Sequence, residues 1–152
     1  LNLLEIFQNQ VLIGALLAWS GAQTLKLAIE YARTHSWDWS LLLRAGGMPS
    51  SHSALVTAAA HGIGLASGFD TPLFAMSVAL AMIVIYDATG IRRQAGQHAK
   101  IINAIIKDFI EGHPARSQEK LREVLGHSPV EAFIGAVLGI VVAQIVYLLW
   151  VS

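Results

Sequence analysis

The stretch RAGGMPSSHSALVTAAAHGIGLA (residues 44–66) places a dense polar cluster directly ahead of a run of small apolar residues. Gly46 and Gly47 permit a tight turn, and Pro49 ends any helix that precedes it. Ser50 or Ser51 is suited to N-cap the helix that follows. That helix is rich in Ala and Gly, residues that let helices approach closely where lipid offers no hydrophobic drive for association. The stretch therefore reads as a polar site at the mouth of a helix inside a membrane bundle.

Composition points the same way. Of 152 residues, 55% are apolar and only 13% are charged, where a soluble domain carries about 25% charged residues. A buried soluble bundle is the alternative; the charge deficit favours an all-α integral membrane protein, one domain over residues 1–152. A net charge of zero gives no sign of a nucleic-acid partner, and the lack of cysteine excludes disulfides and cysteine-ligated zinc. The opening LNLLEIFQNQ has neither a basic start nor a cleavage site and does not read as a secretory signal.

A bilayer-crossing helix needs roughly 17–25 mainly apolar residues. Four spans are expected, at about 11–31, 53–67, 72–86 and 129–151, two of them short. Ala58, Gly62, Gly64 and Gly68 on the second, and Gly135 with Gly139 on the fourth, suit close helix contact. Four spans leave both termini on one side and give the other side the loops 32–51 and 87–128. All ten Lys and Arg residues lie on or at the edge of that loop side, which marks it as cytoplasmic. Within the longer loop, GQHAKIINAIIKDFI (96–110) sets Lys100, Asn103 and Lys107 on one stripe and Ile102, Ile105, Ile106 and Phe109 on another. That is an amphipathic helix of the kind that lies in an interface or against a partner, plain packing under the bundle being the alternative to lipid contact. EGHPARSQEKLREVLGH (111–127) reads as a break, a short helix and a stop. Trp37, Trp39 and Trp150 suit interfacial anchoring. His61 projects nearly opposite to His52 and reads as a packing or interface histidine, while His35 and His113 read as loop residues.

Three clusters carry chemistry. In GGMPSSHS, the helix start presents unpaired backbone N–H groups and a positive dipole end, an anion site, with His52 in the first turn able to donate a proton. In YDATGIRRQAGQH, Asp87 ends the third span, Gly90 turns the chain, and Arg92 and Arg93 offer phosphate-matching forks. In LGHSPVEAFIGAVLG, Ser128, Pro129 and Glu131 spell a capping box. Glu131, four residues after His127, also suits holding that imidazole in one tautomer, so that His127 serves as nucleophile or base. Lys26 and Arg33, seven apart, face the same loop side. The convergence of these elements on one membrane face favours a phosphate site.

At these residues the sequence resembles the type-2 phosphatidic acid phosphatase superfamily. It is most similar to the divergent branch of small bacterial and plastid membrane proteins related to acid phosphatases and vanadium-dependent haloperoxidases. Lys26 and Arg33 reproduce the spacing of the superfamily's first motif, with Thr34 where proline is usual. Pro49 to His52 matches the second, with Ser51 in place of glycine. The third looks split: Arg92 or Arg93 supplies the arginine, and His127 with Glu131 supplies the histidine and its carboxylate about thirty residues later. His98 also follows Arg92 by six, but Ile102 stands where an acid is needed.

The resemblance implies a phosphomonoesterase that needs no metal or cofactor and works through a phosphohistidine. In it His127 attacks, Glu131 orients, His52 protonates the leaving alcohol, and Lys26, Arg33, Arg92, Arg93 and the amides near Ser50 and Ser51 cradle the phosphate. Asp87 and Arg44 are supporting candidates. The expected substrate is a lipid phosphate monoester, phosphatidylglycerophosphate first, acted on from the cytoplasmic side of a bacterial inner or plastid-type membrane. Four spans are fewer than the superfamily's usual six, so a homodimer would complete the bundle. Two other readings stand beside this one: an inactive phospholipid-binding scaffold, and a metal-dependent phosphohydrolase using Asp87, His127 and Glu131.

Overall fold

The structure is a computed structural model that describes residues 3–42, 47–110 and 126–152. Five α-helices follow one another: α1 (Gln10–Thr34), α2 (Ser51–Ser67), α3 (Pro72–Thr89), α4 (Ile91–Ile110) and α5 (Pro129–Val151). Short 3-10 turns precede α1 (Leu3–Gln8) and lie between α1 and α2 (Trp39–Leu42). No strand occurs among the described residues.

Each helix starts where side-chain chemistry dictates. Asn9, Ser50, Thr71 and Ser128 sit at the N-caps of α1, α2, α3 and α5, and each accepts a hydrogen bond from a backbone N–H in the first turn, satisfying a donor that has no partner within the helix. Pro72 and Pro129 occupy first helical positions, where a missing N–H costs nothing. His35 ends α1 in the left-handed region (φ 52°), and Gly68 (φ 100°) ends α2. Gly68 therefore serves the turn into α3 rather than the close helix contact expected of it.

The distribution of side chains is that of a membrane bundle. The core is built from alanines, Ala18 and Ala22 of α1, Ala54 and Ala58 of α2 and Ala143 of α5. The large apolar residues face outward, with Met76, Leu80, Ile83, Phe133 and Leu149 all more than half exposed. In water this arrangement would forfeit the hydrophobic stabilisation of folding, whereas against acyl chains it is the favourable one. Three stretches are long and apolar enough to cross a membrane: Gln10–Thr34, Pro72–Ile106 across the α3–α4 boundary, and Pro129–Val151.

The fourth expected span, α2, differs. Its 17 residues rise about 25 Å, against a hydrocarbon thickness of about 30 Å. It is the inner helix, in contact with α1, α3 and α5. Because its neighbours are helices, its buried positions are small: Ser51, Ser53, Ala54, Ala58, Ala60, Gly62 and Gly64. Gly135 and Gly139 of α5 bring the two backbones together: a Cβ at Gly135 would strike the carbonyl oxygen of Ser50, and one at Gly139 that of Ala54. Gly62 admits Val11 of α1 at ordinary contact distance.

α3 runs three residues past its expected end, to Thr89. Gly90 breaks the helix for one residue, and α4 begins at once. The short helix expected over 111–127 lies almost wholly outside the described residues.

Candidate functional site

The starts of α2 and α5, the end of α3 and the middle of α1 meet at one end of the bundle. Two backbone hydrogen bonds tie them. Ser50 N–H donates to the Glu131 carbonyl at 3.0 Å, and His127 N–H donates to the Ala88 carbonyl at 3.0 Å. The first pins the mouth of α2 to the first turn of α5, and the second pins the histidine loop to the last turn of α3.

His127 is almost fully buried, and its Nδ1 lies 3.2 Å from Oε2 of Glu131. The same carboxylate oxygen accepts the Ser128 N–H at 3.0 Å, while Ser128 Oγ accepts the Glu131 N–H at 3.3 Å. One carboxylate thus closes the capping box and holds the imidazole. The economy follows from the cap: the Glu131 carboxylate folds back over the helix start to the Ser128 N–H, which brings it to the side chain of the residue just before the cap. With Nδ1 committed to Glu131, Nε2 is the ring atom turned away from the carboxylate.

The His52 ring stands 6.2 Å from that of His127, centroid to centroid, with the planes 59° apart. His52 is half-buried in the first turn of α2. Beside it Ser50, Ser51 and Ser53 are fully buried. Ser50 Oγ accepts both the N–H and the hydroxyl of Ser53, at 3.3 and 3.0 Å. Ser50 is therefore the cap, and Ser51 is left to face α1.

There Lys26 reaches it. Only 3% of Lys26 is exposed, and its Nζ donates to Gln23 Oε1 at 2.7 Å and to Ser51 Oγ at 3.3 Å. Both acceptors are neutral oxygens, and Glu131 attracts the ammonium through space. Gln23 in turn donates through Nε2 to the Leu42 carbonyl at 2.9 Å, which ties the 3-10 turn to the same network. Gln23 and the Ser53 hydroxyl are the polar groups that sequence reasoning did not place in the site. The signal for Gln23 was present: two polar residues three apart, on one face of an otherwise apolar helix.

The remaining candidates stand as follows. Asp87 is half-buried, one residue before the carbonyl that anchors His127. Arg33 is exposed in the last turn of α1, and no contact with either site histidine occurs among the described interactions. Arg92 and Arg93 occupy the first turn of α4, and only their place on the helix is described. Arg44 lies outside the described residues. Among the described residues no group of three or more His, Asp or Glu side chains is arranged to share a metal ion, so Asp87, His127 and Glu131 do not form the metal triad of the third reading.

His61 is bonded elsewhere, its Nε2 lying 3.1 Å from Gln144 Oε1 of α5 and its ring against Phe69. That is a packing contact between helices, as the helix phase predicts.

The fold and these residues define an all-helical membrane protein with a buried polar site of histidines, carboxylate and lysine at one end of the bundle. Comparison with known sequences gives the family. Residues 7–142 match the Divergent PAP2 family, and the chain belongs to it. An uncharacterized membrane protein of Bacillus subtilis (strain 168), YuiD, is 41% identical over 152 aligned positions, which cover 93% of this chain and 96% of the relative. No solved structure matches.

Proposed function

We propose that this protein is a membrane phosphatase that hydrolyses a lipid phosphate monoester through a phosphohistidine. The observation that carries the reading is Lys26. An ammonium withdrawn from water is costly unless counter-charge accompanies it. Both hydrogen-bond partners of Lys26 are uncharged, and the Glu131 carboxylate that attracts it through space is already shared with His127 and the Ser128 N–H. The Lys26 partner Ser51 opens α2, one residue before His52, whose ring stands 6.2 Å from that of His127. A phosphate dianion is the ligand such a pocket suits.

In the first step His127 Nε2 attacks phosphorus and the P–O ester bond breaks, while His52 gives its proton to the departing alkoxide. Glu131 stabilises the charge that grows on the His127 ring. In the second step water attacks the phosphohistidine, His52 takes the water's proton, and the P–N bond breaks to release inorganic phosphate. Lys26 and the α2 amides hold the phosphoryl oxygens throughout, where developing charge is largest. Arg33, Arg92 and Arg93 are the further cations proposed for that role, with Asp87 and Arg44 supporting. Phosphatidylglycerophosphate is the first substrate to test. On the cytoplasmic assignment of the site, the substrate is a lipid made on the inner leaflet.

The test is phosphate release by the purified protein from a panel of lipid phosphates, with and without chelator. His127→Ala should lower the rate by about 10³-fold or more. His52→Ala should lower it by about 10²–10⁴-fold on alkyl phosphates, and far less on p-nitrophenyl phosphate, whose leaving group needs no proton. Chelator should leave the rate unchanged. Headgroup binding without phosphate release would replace this mechanism with the scaffold reading.

A further inference from the structure

We propose that α4 is a membrane-surface helix that docks in the bilayer plane onto anionic lipid headgroups. The proposal stands apart from the phosphatase reading and holds whether or not the site is active.

α3, with 18 residues, rises about 27 Å and by itself nearly matches the hydrocarbon thickness. The single-residue break at Gly90 therefore falls at the membrane boundary, and α4 begins there. α4 has 20 residues and packs on no element but α3 among the described helices. Its apolar side is left uncovered: Ile101 and Ile105 are more than half exposed, with Ile102 close behind. A helix running out into water would leave these isoleucines solvated over its whole length.

Charge decides what covers them. α4 carries Arg92, Arg93, Lys100 and Lys107 against one acidic residue, Asp108. Arg93, Lys100 and Lys107 recur at intervals of seven and so share one register face, opposite the position of Ile102 and Phe109. His98 falls on the apolar side near the start, so the apolar arc is cleanest from Ile101 onward. With the isoleucines lowered into the acyl boundary, a helix about 10 Å across keeps its cations within about one Debye length of the headgroup phosphates. Anionic lipid is what such a basic amphipathic helix recognises. Pairing with α4 of a second copy would instead bring two basic helices together, which like-charge repulsion opposes.

The chain has no cysteine, so single labels report cleanly. Ile102→Cys, Ile105→Cys and Lys100→Cys proteins, each carrying an environment-sensitive fluorophore, are reconstituted in vesicles of equal phosphatidylglycerol and phosphatidylcholine. Brominated acyl chains should quench the labels at 102 and 105 severalfold more than at 100, and aqueous iodide should do the reverse. In phosphatidylcholine alone, or at high salt, the difference should fall at least twofold. Equal access of iodide to all three positions would overturn the docking, as would disulfide cross-linking of Ile102→Cys between copies in place of lipid quenching. An asymmetry of unchanged size in neutral lipid would overturn the headgroup assignment.

Discussion

At Glu131 one side chain serves two purposes that substitution can separate. Glutamine also closes a capping box, so Glu131→Gln should leave the melting temperature nearly unchanged while removing the charge that orients and stabilises the His127 ring. We expect a fall in kcat of about 10–10²-fold, on the scale of losing one positioned electrostatic partner. Glu131→Ala should lose the cap as well, at about 1 kcal/mol, and melt earlier. Equal melting temperatures for the two variants would separate Glu131 from the cap. Gln23 makes a second case. It touches no histidine among the described contacts, yet it holds the Lys26 ammonium at 2.7 Å. Gln23→Ala should raise KM for phosphate esters by about tenfold, the cost of roughly one hydrogen bond to a charge, with a smaller effect on kcat. Product-inhibition measurements with inorganic phosphate would check the same ordering.

Among the helices, the critical contact is α5 on α2. Gly135 lies where its backbone meets that of Ser50, the residue that caps α2 and bonds to Glu131. A methyl group there must push the two helix starts apart, at about 1–3 kcal/mol or more for an overpacked contact. The push falls between the elements that carry His52 and His127. Gly135→Ala should therefore lower activity by about 10²-fold, since an ångström of misplacement has that effect on positioned groups, and lower thermal stability in parallel. Alanine at Gly62, where a Cβ meets Val11 at ordinary contact distance, should be tolerated. A Gly135→Ala protein with undiminished phosphate release would show that the two histidines do not act together.

For the molecule as a whole, the orientation in the membrane is testable without reference to activity. On the proposed orientation, with the Lys- and Arg-rich side cytoplasmic, Ser36 faces the cytoplasm and Ser152 the opposite side. Ser36→Cys should react with a membrane-impermeant maleimide in inverted vesicles but not in intact cells, and Ser152→Cys the reverse. The aromatic stack of Tyr31, Trp37 and Trp39, with centroids 4.5 and 5.7 Å apart, belongs to the first end and suits its interfacial position.

The sequence by itself determined the class of fold, the helix starts and the residue types of the site. These follow from local rules: caps lie next to the helices they close, apolar runs declare spans, and a capping-box glutamate reaches back to the histidine just ahead of the cap. It did not place Gln23 or Ser53 in the network, or reveal that α2 is the enclosed helix and not a fourth lipid-facing span. Those facts depend on which backbones touch, and hence on Gly135 and Gly139, whose missing side chains carry no signal of their partners. The tertiary structure decided that residues 75 positions apart, His52 and His127, stand ring to ring, because close packing of glycine against a serine backbone leaves two helix starts one location to share.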